Sequence, residues 1–273
     1  MLHLILTLKC FMIKYIVKGE RNMQKINLND ETIENIAKIN ADLQRGTFGT
    51  VARIDKDLAI KFYNGFLTGY KEKSVNEISK ETTIFVPQIE ILTKKQKDLK
   101  LTTLPLGVAY YHDVPVGVII KYFEKHKTLL ELYKENYTVI ISIFQKILNI
   151  VNEQIINGIF QRDIKEDNFL YSTINYNAQA IDLDGVNVDF YRENIPLEEM
   201  MYETLLDMFI FLSKEKLLFD YNNNNLDESE YKERVEAVKE LKFGIYVFEG
   251  LQAFINGITR GRILEPSQKI LKK

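Results

Sequence analysis

Cysteine is nearly absent from this 273-residue chain; Cys10 is the only one. An internal disulfide is therefore impossible, and a reducing, cytoplasmic compartment is expected. Histidine is almost as scarce. His3, His112 and His126 have no Cys or His companion at ligand spacing, which argues against a structural zinc site. Neither sign of charge dominates, with 36 Lys and Arg against 38 Asp and Glu. A nucleic-acid or membrane-surface binder driven by electrostatics would normally show a basic excess, so neither partner is expected. Only 13 Gly and 5 Pro beside 46% hydrophobic residues exclude a collagenous or Pro/Gly-rich disordered chain. What is present is enough apolar chain for one large domain or two lobes.

The first stretch, LHLILTLKCFMIKYIV at residues 2–17, is apolar but interrupted by Lys9 and Lys14. That makes it a poor membrane span, and no span is expected. It also lacks the leading positive charge and small-residue cleavage site of a signal peptide. Two readings stay open for the extension at residues 1–27. It is a short amphipathic arm, or translation starts at Met23. The second reading rests on codons: Lys18-Gly19-Glu20-Arg21 can be written AAA-GGA-GAG-AGA, a bacterial ribosome-binding sequence, and Met23 follows at a suitable distance.

From Leu28 the chain reads as a short polar helix, NDETIENIAKI, with Asp30 as its expected N-cap. Strand-like runs follow in QRGTFGTVARI and DLAIKFY, separated by an Asp55-Lys56-Asp57 turn. Lys71–Thr83 is polar and helix-compatible, and strand character resumes at Pro87–Leu92, Leu99–Tyr111 and Val116–Phe123. The period then changes. Between Tyr137 and Ile156, apolar residues recur at spacings of three and four, the pattern of a buried helix. After a loop and two short strands, MMYETLLDMFIFL and EYKERVEAVKELKFGIYVFEGLQAFI are helical, with a solvated loop at Asn222–Asn225. The expectation is an α+β chain: a β-rich lobe at 28–123 and a mostly helical one at 124–273.

Three clusters carry candidate chemistry. Gly46-Thr47-Phe48-Gly49-Thr50-Val51 lies between strand-like runs, where glycines allow backbone N–H groups to approach phosphates. Twelve residues after Gly49, Lys61 sits among apolar neighbours on a strand, suited to hold phosphate oxygens. The second cluster, Gln161-Arg162-Asp163-Ile164-Lys165-Glu166-Asp167-Asn168, packs a carboxylate, two cations and an amide into one loop after the long helix. An acid that orients a hydroxyl, a cation beside a transferred phosphoryl group and an amide ligand for Mg²⁺ fit that spacing. The third is Ile181-Asp182-Leu183-Asp184-Gly185, with Asp182 placed as a ligand for a hard metal. Taken singly, each has a plainer reading: a two-glycine turn, a snorkelling lysine, a charged surface loop and a β-turn.

Together, in this order and at these separations, the clusters resemble the protein kinase family from about Ala41 to Phe211. The resemblance implies a two-lobed kinase-like fold with ATP as substrate and Mg²⁺ as cofactor. By it, Gly46 and Gly49 belong to the phosphate-covering loop, with Leu43 before it, Thr47 within it and Phe48 at its tip. Lys61 contacts the α/β-phosphates and pairs with a helix glutamate, for which Glu77 is preferred over Glu81 and Glu72. Val51, Ala59 and Leu170 sandwich the adenine, and Lys121 and Phe123 meet it through backbone groups. Asp163 takes the catalytic-base position, Lys165 the phosphate-neutralising one, and Asn168 and Asp182 the metal-binding ones.

The departures bear on function. Gln44 stands in place of the first glycine, Gln161 in place of a loop-supporting His, and Leu183-Asp184 in place of Phe-Gly. No Ala-Pro-Glu follows, and Asp207 resembles the family's buried helix Asp only 25 residues after Asp182. Lys165, two residues after the base, favours transfer to Ser or Thr of a protein substrate. The short segment and the Asp-x-Asp favour instead a small-molecule kinase of the aminoglycoside or sugar type. A non-catalytic pseudokinase is the third reading, disfavoured because Lys61, Asp163, Asn168 and Asp182 are all present.

Overall fold

The computed structural model describes residues 23–39, 44–46, 49–63, 66–69, 71–74, 77–78, 86–188, 196–241 and 247–265. The fold is α+β and divides into two units. The first runs to Asp98 and resumes at Thr103–Glu124; the second comprises Leu99–Thr102 and the chain from Lys125 onward.

The first unit is built on a six-stranded sheet. Its strands are β1 (Gln24–Leu28), β2 (Gln44–Gly46), β3 (Gly49–Arg53), β4 (Leu58–Tyr63), β5 (Gly107–Tyr111) and β6 (Val114–Lys121), in the order β1-β5-β6-β4-β3-β2. All neighbours are antiparallel except β1 and β5, which run parallel. β1 draws most of its length from residues assigned above to the extension. Helix α1 (Asp30–Ile39) turns Ile33 and Ile36 into a core shared with Ala52, Ile60, Phe62 and Ile119. Its cap is Asn29, not Asp30: the Asn29 Oδ1 accepts from the Thr32 N–H at 2.8 Å and the Thr32 hydroxyl at 2.7 Å. Asp30 instead accepts the Tyr111 hydroxyl at 2.7 Å, tying the start of α1 to β5.

The expected strand at Pro87–Leu92 is a helix, α2 (Val86–Lys95). Ile89, Leu92 and Thr93 are buried at spacings of three and four, whereas Ile91, part of the same apolar run, is 45% exposed. Pro87 is tolerated because the first helical turn needs no N–H donor there. The expected strand at Leu99–Tyr111 shortens to β5. Of Lys71–Thr83, residues 75–76 and 79–83 lie outside the described residues, as do residues 1–22.

The second unit holds two small antiparallel sheets. Strands β7 (His126–Thr128), β9 (Phe169–Ser172) and β10 (Ala178–Ala180) form one, with β9 central; β8 (Ile159–Phe160) and β11 (Asn187–Val188) form the other. Helix α3 (Tyr137–Ile156) begins where the Asn136 Oδ1 accepts the Val139 N–H at 3.0 Å. It is the one helix among the described residues long and apolar enough to cross a membrane, and more than half of it is buried inside the protein. Helices α4 (Pro196–Asn222), α5 (Glu228–Glu240) and α6 (Phe248–Arg260) complete the unit. The last two divide the helical run expected from Glu230 to Ile255; residues 242–246 between them lie outside the described residues.

Within α4, Lys216 and Asp220 form an ion pair at 3.0 Å with side chains 6% and 3% exposed. The Asp220 carbonyl also accepts the Asn225 N–H at 2.8 Å, closing the end of the helix. Removing one partner leaves a buried, uncompensated charge. Asp220→Ala should therefore cost about 3–5 kcal/mol in denaturant unfolding, while Lys216→Met with Asp220→Leu should be far milder. Equal losses in the single and double variants would show that packing, not charge, sets the cost.

Candidate active site

The loop that carries Asp163 is prepared by the end of α3. Gly158 adopts φ 67°, a left-handed turn that sends the chain from the helix into β8. Gln161 is buried and donates from Nε2 to the Asp163 carbonyl at 3.3 Å. A single 3-10 turn at Glu166–Asn168, with the Asn168 N–H bonded to the Lys165 carbonyl at 3.0 Å, delivers the chain to β9. The β9–β10 hairpin then brings the chain back, and the Ile181 N–H donates to the Asn168 carbonyl at 2.9 Å. Asp182 follows at once. Its backbone is left-handed (φ 62°, ψ 38°), a conformation that non-glycine residues adopt at some cost and that concentrates at functional positions.

The side chains converge. Asn168 Nδ2 donates to the Asp163 carbonyl at 2.7 Å and to its Oδ2 at 3.1 Å. Lys165 Nζ lies 2.6 Å from the same Oδ2. That bond to Asp163 is the main reason the Lys165 ammonium is held above its ordinary pKa, with further contributions from the charges of Asp163, Asp182 and Asp167. Asp182 is thus close enough for Lys165 to feel its charge. Asp163 is more than half exposed, so its carboxylate is oriented yet reachable. Both Asn168 side-chain bonds use the amide nitrogen, which leaves Oδ1 as its oxygen for a cation. Among the described residues no three His, Cys, Asp or Glu side chains form a metal cage. An amide and a carboxylate oxygen suit Mg²⁺, which keeps several ligands from water or phosphate.

In the first unit, register decides which residues share a sheet face. Val51 pairs with Lys61, Lys61 with Val118, and Arg53 with Ala59. Val51, Ala59 and Lys61 therefore lie on one face, opposite the face that Ala52, Ile60 and Phe62 bury against α1. The Lys61 ammonium lies 5.5 Å from the Tyr63 ring centroid. The Tyr122 N–H donates to the Asp57 carbonyl at 2.9 Å. Lys121 thus occupies a non-hydrogen-bonded position opposite Leu58, and its N–H and C=O turn away from β4. On that other side the β5 ladder stops at the Gly107–Ile119 pair, before reaching Lys121. The Lys121 ammonium lies 5.2 Å from the Phe123 ring centroid.

Gly46 and Gly49 pair directly across β2 and β3, and Gly49 is required there sterically, since a Cβ would run into the Phe62 carbonyl. Leu43, Thr47 and Phe48 lie outside the described residues. Leu170 is partly exposed on β9, opposite Gln179 and Thr128. Glu77 is exposed, and its carboxylate accepts the Ser74 N–H at 2.7 Å while its own N–H donates to the Ser74 hydroxyl at 3.3 Å. That reciprocal pair is a capping box; its bonds to Ser74 hold the Glu77 pKa below the usual carboxylate value. Glu72 is exposed, and Glu81 lies outside the described residues.

Asp207 corrects an expectation: it is exposed on α4 rather than buried. Tyr202, Leu205, Leu206 and Phe209 take the interior instead. Tyr202 donates to the Asn152 Oδ1 at 2.9 Å, and burial pushes its pKa up to about 12. Sequence reasoning did not single out Glu153, whose carboxylate accepts the N–H groups of Lys100, Leu101 and Thr102, since backbone partners leave no motif. No protein-family model matches the chain, and no curated protein matches it.

Replacing Asp163 by Asn should lower the Lys165 pKa toward its ordinary value, because its largest source of elevation is lost. Below the ordinary lysine pKa the elevation contributes its full, small stabilisation, which fades as pH rises through the folded-state value. NMR titration of the Lys165 side chain in both proteins reads the shift; an unchanged curve would contradict the pairing.

Proposed function

We propose that the chain is an ATP- and Mg²⁺-dependent phosphotransferase of the protein kinase-like class, with a two-lobed arrangement and a protein Ser or Thr as acceptor. The observation that carries the reading is the Asp163 cluster: one carboxylate oriented by the Asn168 amide, flanked by Lys165 at 2.6 Å and electrostatically near Asp182. The shared sheet face of Val51, Ala59 and Lys61 gives independent support.

In this reading Asp163 orients the acceptor hydroxyl and takes its proton, and Lys165 neutralises charge on the transferred phosphoryl group. Lys61 holds the α/β-phosphates, and the backbone of Lys121 meets the adenine edge beside Val51 and Ala59. Asn168 Oδ1 and Asp182 would hold Mg²⁺, which supplies charge neutralisation at the phosphate oxygens. Catalysis is then positioning plus electrostatics.

A second reading, a small-molecule kinase, is favoured by one feature. Only residues 189–195 separate β11 from α4, little chain for a platform that engages a peptide. Incubation with labelled ATP against candidate proteins and against hydroxylated small molecules separates the two acceptor classes.

Calorimetry tests the nucleotide assignments. Asp163→Ala should still bind ATP with little loss, whereas Asp182→Ala should lose the Mg²⁺-dependent part of binding together with turnover. Equal Mg²⁺ dependence in wild type and Asp182→Ala would falsify the metal assignment. Lys61→Ala should lower kcat by about 10²–10³-fold, corresponding to ~3–4 kcal/mol of transition-state stabilisation. If Glu81→Gln abolishes activity while Glu77→Gln does not, Glu81 is the partner of Lys61.

A further inference from the structure

Glu153, near the end of α3, directs its carboxylate at backbone. Oε1 accepts the Lys100 N–H at 2.7 Å and the Leu101 N–H at 3.0 Å; Oε2 accepts the Leu101 N–H at 3.0 Å and the Thr102 N–H at 2.8 Å. Three successive amides thus converge on one anionic group, and hydrogen bonds to an ionised acceptor are stronger than neutral ones. The flanking side chains add a second anchor. Leu99 and Thr102 are buried, whereas Lys100 and Leu101 between them are exposed.

Leu99–Thr102 belongs to the second unit although the chain on both sides belongs to the first. The base of this excursion is closed by first-unit residues. The Leu104 N–H donates to the Gln96 Oε1 at 2.6 Å, and the Thr93 hydroxyl, whose nearer acceptor is the Ile89 carbonyl at 2.8 Å, lies 3.3 Å from the Pro105 carbonyl. The segment is therefore a short loop with a pinned base, and its tip is fastened to α3.

We infer that Glu153 is a latch that makes Leu99–Thr102 a lasting part of the second unit. With it closed, the chain is committed to both units at three crossings, 98/99, 102/103 and 124/125. With it open, the loop reverts to the first unit and one crossing remains. The latch couples the unfolding of the two units, and the loop it holds lies on the chain between α2 and β5, clear of the residues assigned to chemistry. The inference does not rest on the phosphotransferase reading.

Amide exchange followed by NMR on the intact chain tests it, in wild type, Glu153→Gln and Glu153→Ala. Glu153→Gln keeps the shape but sets an NH₂ group against the backbone donors. In wild type the Lys100, Leu101 and Thr102 amides should exchange slowly. In both variants they should exchange at least about tenfold faster, the scale of a lost bond to a charged group, with α3 protection unchanged. Thermal unfolding should change from one transition to two. Rapid exchange at these amides in wild type, or unchanged exchange in Glu153→Gln, overturns the latch. A single transition retained after the amides are released overturns the coupling. If Glu153→Ala does not fold, wild type and Glu153→Gln decide the matter.

Discussion

One buried amide holds the candidate site together. Asn168 Nδ2 grips both the carbonyl and the carboxylate of Asp163, closing the loop between them. Asn168 immediately precedes β9, so whatever fixes β9 also fixes Asp163. β9 is the middle strand of its sheet, with Phe169 and Tyr171 fully buried. Its pairing with β10 then sets Asp182, because the Ile181 N–H returns to the Asn168 carbonyl. Lys165 is held differently, by an ion pair with partners 46% and 59% exposed. Pairs this exposed contribute only about 0–1 kcal/mol, so Lys165 is the least firmly held member of the cluster. Within this loop the buried amide is thus held more firmly than the exposed cation.

The legible parts of the sequence were those whose determinants lie close together. All of the Asp163 loop falls within eight residues, and α3 announces itself by twenty residues of helical apolar spacing. β3, β4 and β6 were readable as strands bounded by turn signals. β1 was not, because only Leu28 is buried and its partner β5 lies far along the chain. α2 was misread because a short apolar run does not by itself separate a strand from a buried helix. Asp207 misled for another reason. Its burial was implied by the resemblance alone, and α4 is apolar on more than one side, with Phe211 and Leu218 exposed at 43% and 38%, so the local pattern did not mark its inner face. For the glutamate that the resemblance implies beside Lys61, several glutamates in one polar stretch fit the same spacing, and Glu77 is engaged with Ser74.

Gly49 shows why a motif can be over-read. The close approach of β4 already demands glycine there, since any Cβ would meet the Phe62 carbonyl. Its presence beside Gly46 is therefore explained without a phosphate. Independent weight comes instead from register, which places Val51, Ala59 and Lys61 on one face. A shift of one residue in β4 would send Lys61 into the apolar side occupied by Ile60 and Phe62. The apolar core of the first unit thus fixes the face on which its candidate ligand-binding residues appear.

Gln161 bears on how that loop responds to pH. The Asp163 carbonyl receives two side-chain amide donors, Asn168 at 2.7 Å and Gln161 at 3.3 Å, and both residues are buried. Neither amide titrates. A histidine at position 161 would change charge near neutrality, and burying its charged form would cost the loop stability there. With glutamine, the backbone at Asp163 keeps the same support wherever the unit stays folded. The support of the Asp163 backbone therefore rests on two buried amides that carry no charge to gain or lose.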